Sequence, residues 1–212
     1  TVICSDKTGT LTENQMTVRA LVAGGQQFAV DGDGYAPEGA VTLDGQPAAV
    51  AGPLRDLLVI GVLCNDAGLA RKDGAWTITG DPTEAALLVA ARKAGLDEQQ
   101  LRADSPRVDE IAFDSARQYM ASLHRLDGQP VALVKGALEA ILPRCSSQLG
   151  PDGEPVAIDV DAIDAQARAL ASDGLRVLAF ARAEVAGERL DESALTGGLC
   201  LVGLQAMLTL EA

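Results

Sequence analysis

The chain has 212 residues, with 17 Lys and Arg against 30 Asp and Glu, and a formal charge of −13 at neutral pH. That length can bury a real core, and a content of 48% hydrophobic and 22% charged residues is not that of a disordered chain. The acidic balance argues against nucleic acid and anionic lipid as main partners, so a phosphate-bearing ligand has to be held by a few local cations against the overall field.

Aromatic residues make up only 3%, so the core must be mostly aliphatic and an aromatic in a polar setting stands out. Cys4, Cys64, Cys145 and Cys200 are scattered without a CxxC pair, and His124 is the one histidine. That pattern argues against zinc and favours a reduced setting. No apolar run approaches the roughly 20 residues that span a bilayer, so a soluble, monomeric fragment is expected.

Thr1-Val2-Ile3-Cys4 reads as a buried strand running into Ser5-Asp6-Lys7-Thr8-Gly9-Thr10. From Met16 to Ala51, short apolar runs alternate with turns at Gly24-Gly25, Asp31-Gly32-Asp33-Gly34 and Asp44-Gly45, the pattern of β-hairpins. Leu54, Leu57, Leu58, Gly61, Val62 and Cys64 give a helical stripe after Pro53, followed by a turn at Lys72-Asp73-Gly74 and a strand over 75–79. Asp81 as N-cap, Pro82 at N1 and Glu84 at N3 form a capping-box arrangement before a helix that Gly95 stops. Strands are expected at 107–113 and 118–126, with Asp127-Gly128 turning the chain into Pro130–Lys135. Helices at about 137–144 and 161–172 and strands at about 175–184 and 199–208 complete an α+β fold, an antiparallel β-sheet flanked by helices.

The most specific motif is Asp6-Lys7-Thr8-Gly9-Thr10-Leu11-Thr12. A carboxylate at the end of a buried strand lies at a sheet edge, where it can attack a phosphoryl group and form an acyl phosphate. Lys7, Thr8 and Gly9 add a cation, a hydroxyl and close backbone approach. An ordinary strand-to-turn junction is the plain alternative.

Together with Glu13-Asn14-Gln15-Met16-Thr17, this segment resembles the phosphorylation site of the P-type cation-transporting ATPases. Further matching segments follow in order: 33–39, Leu63-Cys64-Asn65-Asp66-Ala67, Gly80-Asp81-Pro82-Thr83-Glu84, Phe113-Asp114-Ser115, Lys135-Gly136-Ala137 and Gly174-Leu175-Arg176. They look like the nucleotide-binding domain of the type II pumps, nearest the calcium-pump branch. The resemblance implies 1–15 as a phosphorylation-domain strand remnant, 16–200 as the nucleotide-binding domain, and 201–212 as the return toward the phosphorylation domain. Asp6 would be the phosphorylated residue, with Lys7 and Thr8 on the phosphoryl group and Asp6 and Thr8 on Mg²⁺. Thr8 stands where related phosphatases carry an acid/base Asp, which suits a persistent acyl phosphate.

By the same resemblance, Phe113 would stack on adenine, Lys135 and Gly136 would line the pocket, Arg176 would reach the phosphates, and Ser115 would add a polar contact. Glu84 would accept from the adenine amino group, although position N3 of a capped helix explains a Glu equally. Gln118 stands where the family has a lysine, which should weaken binding. Leu138 replaces a proline, and Thr209-Leu210 replace an Asp-Pro pair. Cys64 reads as helix packing and His124 as a structural strand residue.

The expectation is an ATP-binding domain on the cytoplasmic face of a membrane, whose partners are the phosphorylation, actuator and membrane domains of the same chain. ATP binding without turnover is expected of the 212 residues alone, because no GDGxND loop is present. Calcium is the expected ion. The competing functions are a stand-alone phosphatase using Asp6 and a regulatory module that has lost nucleotide binding.

Overall fold

Asp-Gly pairs set the hairpins. Asp44, Asp73 and Asp127 all have φ of 51°, each followed by a Gly with φ of 78–83°, the left-handed pairing that a tight two-residue turn requires. The structure, a computed structural model, describes residues 15–210. The expected phosphorylation motif with Asp6, Lys7 and Thr8 lies outside the described residues.

In chain order the sheet strands are β1 (Gln15–Ala23), β2 (Gln26–Val30), β3 (Val41–Leu43) and β4 (Gln46–Pro47). Helix α1 (Gly52–Leu63), a separate hairpin of β5 (Gly68–Lys72) and β6 (Ala75–Thr79), α2 (Pro82–Lys93) and α3 (Glu98–Asp104) follow. Then come β7 (Arg107–Asp114), β8 (Tyr119–Leu126), β9 (Gln129–Gly136), α4 (Leu138–Ile141), β10 (Cys145–Leu149) and β11 (Pro155–Ala157). The chain continues with α5 (Val160–Ser172), β12 (Arg176–Glu184) and β13 (Leu199–Leu210). The strand order is β4-β3-β2-β1-β13-β12-β9-β8-β7, antiparallel along the whole path, with β10 joining β13 in parallel and β11 pairing β10. The architecture is the expected α+β one.

Alternate residues of each strand face opposite sides. On β8 and β9, Met120, Val131 and Leu133 pack in one cluster with α1 and α2, whereas Tyr119, Ala121, Ala132 and Val134 pack in another with α4 and α5. The sheet therefore carries helices on both faces. A third cluster joins α1 and α2 to the β5–β6 hairpin through Val62, Leu69, Leu88 and Val89, which is why α1 is apolar around most of its circumference. A bulge between Phe180 and Ala181 breaks the register of β12 with β13. Opposite it, Gly203 lets β1 pass close, since a Cβ there would lie 2.2 Å from the Val22 carbonyl oxygen.

The sequence reading lacks α3, β5, β10 and β11. Asp97 caps α3 by accepting from Gln99 and Gln100 N–H, but its seven residues carry no apolar stripe. What fixes it is the two-pronged Arg92–Glu98 pair at 2.7 and 2.8 Å, with Arg92 also over Trp76. Among the described residues no helix is long and apolar enough to cross a membrane.

Candidate functional site

Asp114, Tyr119, Gly136 and Ala179 pair across four neighbouring strands. The end of β7, the start of β8, the end of β9 and the start of β12 therefore share one sheet edge. Five of the sequence-predicted residues lie on this row or within one position of it, Phe113, Ser115, Gln118, Lys135 and Gly136, and Arg176 opens β12 three positions before Ala179.

Lys135 pairs with Met120 and Phe180, whose side chains belong to the α1/α2 face. Its Nζ donates to Glu84 Oε1 at 2.7 Å, with side-chain exposures of only 6% and 15%. In so dry a setting the pair is electrostatically strong, and either partner alone would be costly. One ammonium proton is used here, leaving two donors for another acceptor. Glu84 Oε2 accepts from the Asp66 backbone N–H at 3.2 Å.

The expected capping box is thus half formed. Asp81 accepts from Thr83 and Glu84 N–H at 2.7 and 3.3 Å, while the Glu84 carboxylate turns to Asp66 and Lys135. Arg176 Nη1 donates to Thr83 Oγ1 at 3.3 Å, bringing a second cation to the start of α2.

Phe113 is 61% exposed, more than any other large hydrophobic among the described residues. The turn behind it is built by Asp114, whose carboxylate accepts from Ala116 and Arg117 N–H at 2.7 and 3.3 Å. Those two donors hold the Asp114 carboxyl below its usual range. Ser115 is exposed on this turn. Gln118, with φ of 60°, closes it by donating its N–H to the Asp114 carbonyl at 2.7 Å. Gly136 has a plain packing reason: a Cβ there would meet the Gln118 carbonyl at 2.2 Å. What it accommodates on that side is the β8 backbone.

Sequence reasoning missed the support beneath Glu84. Asn65, 3% exposed, donates from Nδ2 to the Gly61 and Glu84 carbonyls at 2.9 and 2.8 Å and accepts from Ala67 N–H at 2.8 Å. Its place just after α1 was the available signal, because helix-end carbonyls need partners. Cys64 beside it is fully buried against Met120, burial pushing its thiol pKa up, so packing is its role. A concavity of about 470 Å³ near β2, β4 and the start of α1 is lined by residues such as Phe28, Leu43, Pro47 and Pro53. It holds none of these site residues and no charged side chain.

These features define an α+β domain with an exposed aromatic and a buried Lys–Glu pair at one sheet edge. The chain belongs to the P-type ATPases: residues 53–209 match the family described as "P-type ATPase, cytoplasmic domain N". It is 45% identical to a cation-transporting ATPase of Synechocystis, covering 98% of this chain and 24% of the relative. Identity is 44% to a probable cation-transporting ATPase of Mycobacterium tuberculosis, covering 98% and 23%. A calcium-transporting ATPase of Bacillus subtilis is 36% identical over 98% and 24%. The chain thus spans about a quarter of the length of these curated relatives.

Proposed function

We infer that this domain binds ATP at the β7–β8–β9–β12 edge and, within a complete pump, presents the γ-phosphate to Asp6. The observation that carries this is the exposed Phe113 ring at the same edge as the buried Lys135–Glu84 pair. An aromatic ring exposed beside polar groups offers an open face to a flat partner, and base–aromatic stacking contributes about 1–3 kcal/mol.

Adenine stacks on Phe113, and its amino group donates to a remaining lone pair of Glu84. Lys135 offers a further donor to the nucleotide, and Arg176, whose partner among the described residues is the neutral Thr83 hydroxyl at 3.3 Å, turns to the phosphates. Arg176 offsets the −13 field locally, whereas the Lys135 charge is already matched by Glu84. Asp6 attacks the γ-phosphorus in line with the leaving β-phosphate oxygen, and positioning supplies most of the acceleration. Asp6 and Thr8 would hold the Mg²⁺ that neutralises charge on the phosphates. Transport of a cation, calcium foremost, is the function of the whole pump, with this domain on the cytoplasmic side.

Titrating ATP into the chain while following backbone amides should move signals around Phe113, Glu84 and Lys135 at millimolar ATP. Phe113→Ala should weaken ATP about tenfold and leave the melting temperature unchanged. No shifts at this edge would sink the binding claim, and Mg²⁺-dependent phosphate release by the chain alone would favour the phosphatase.

A further inference from the structure

Arg107 opens β7, the strand that ends beside Phe113. Its guanidinium spreads over a single turn: Nη1 donates to Asp66 Oδ1 at 2.7 Å, and Nη2 to the Leu63 and Asn65 carbonyls at 3.3 and 3.2 Å. Nη1 also meets Glu110 Oε2 at 2.6 Å, anchoring the head group to its own strand. The turn so clamped presents the Asp66 N–H to Glu84 Oε2. Asn65 fixes it from the buried side, and Arg102 Nη2 holds its backbone through the Val62, Asn65 and Ala67 carbonyls at 3.5, 3.4 and 2.9 Å, so what Arg107 adds is the grip on the Asp66 side chain itself.

This matters for what Glu84 can recognise. One carboxylate oxygen takes the Asp66 N–H and the other the Lys135 ammonium, so the plane of the group is set by two donors on different elements. A carboxylate held in this way accepts from an exocyclic amino group and repels a carbonyl oxygen in the same place. Without Arg107 the Asp66 end of the turn loosens and its N–H drifts from Oε2, so the carboxylate, then held only at Oε1 by Lys135, swings about its last bond, a torsion with only a broad, soft preference.

The geometry points to Arg107 as a positioning residue that clamps the 63–66 turn, orients Glu84, and so sets a preference for 6-amino over 6-oxo purine nucleotides. The assignment rests on the ATP site inferred above.

The test is calorimetric binding of ATP and of inosine triphosphate to the 212-residue chain, read as the ratio of their affinities. The wild type favours ATP and Glu84→Gln abolishes that preference. Arg107→Gln lowers the ratio by about fivefold, roughly one net hydrogen bond, through weaker ATP binding with little change for the inosine nucleotide. Arg107→Lys, which keeps the charge and fewer contacts, recovers part of it. Arg125→Gln, removing an exposed ion pair with Glu188 elsewhere, keeps the wild-type ratio.

Should Arg107→Gln fail to fold, Asp66→Ser removes the clamp at an exposed position and gives the same drop. Equal weakening of both nucleotides, or an unchanged ratio in folded Arg107→Gln or Asp66→Ser, overturns the assignment while the ATP site stands. A wild type with no preference, or a Glu84→Gln variant that keeps it, defeats the role of Glu84 and with it that of Arg107.

Discussion

Lys135 shows how a single side chain changes meaning between sequence and structure. As the penultimate residue of an apolar strand it reads as a solvated end or a ligand-facing cation. In the fold it lies 5% exposed and bound to Glu84, 51 positions away in sequence. No local pattern encodes that distance, so Glu84 could be read as a helix-start residue or an adenine acceptor but not as the partner of Lys135, while the helix N-cap was legible through Asp81. The pair also predicts a stability pattern. Lys135→Met should cost about 3 kcal/mol, because it strands a carboxylate in a poorly solvated place. Adding Glu84→Gln should recover part of the loss, since a neutral amide is cheaper to leave there. Urea unfolding of the two variants and the wild type measures both effects. A double variant no more stable than Lys135→Met alone would show that the pair contributes little.

Elements were legible where their signals are local. The Asp-Gly turns and the Asp81 cap were read from a few adjacent residues, whereas β10 depends on a parallel partner more than 50 positions later and could not be. The end of α3 is a further instance. The buried His124 on β8 holds it, with Nδ1 2.8 Å from the Ser105 carbonyl and Nε2 2.9 Å from Ser122 Oγ. A neutral ring donates to the first and accepts from the second. Burial pushes the His124 pKa below its ordinary 6.5; the Ser105 carbonyl opposes that shift and Arg107 adds to it. The folded state therefore binds fewer protons here than the unfolded one. Stability is full above about pH 6.5 and falls as pH drops from there toward the depressed folded value. Unfolding curves at pH 7.5 and 5.5 should show a smaller loss for His124→Gln than for the wild type. An equal loss in the two proteins would place the pH sensitivity elsewhere.

At the scale of the whole molecule, composition already required an aliphatic core. The sheet supplies it with two dense faces, and among the described residues only Tyr119 and Phe180 are fully buried aromatics. The site itself was legible as a set of positions and not as an arrangement: the strand ends that gather it come together only through the register of β7, β8, β9 and β12. The same register logic governs the middle of the sheet, where Gln15 of β1 stands opposite Leu210 of β13. Directly paired antiparallel residues are about 4.5–5.5 Å apart, so the described polypeptide starts and finishes at one point. A short Gly-Ser bridge from 210 to 15, with new ends cut between Asp127 and Gly128, should therefore give a circular permutant with the same fold. Its circular dichroism and melting temperature should stay close to those of the unpermuted residues 15–210. The paired ends also form a two-strand stem, so any chain joined at 15 and 210 reaches the row of strand ends on β7, β8, β9 and β12 through β1 and β13 together.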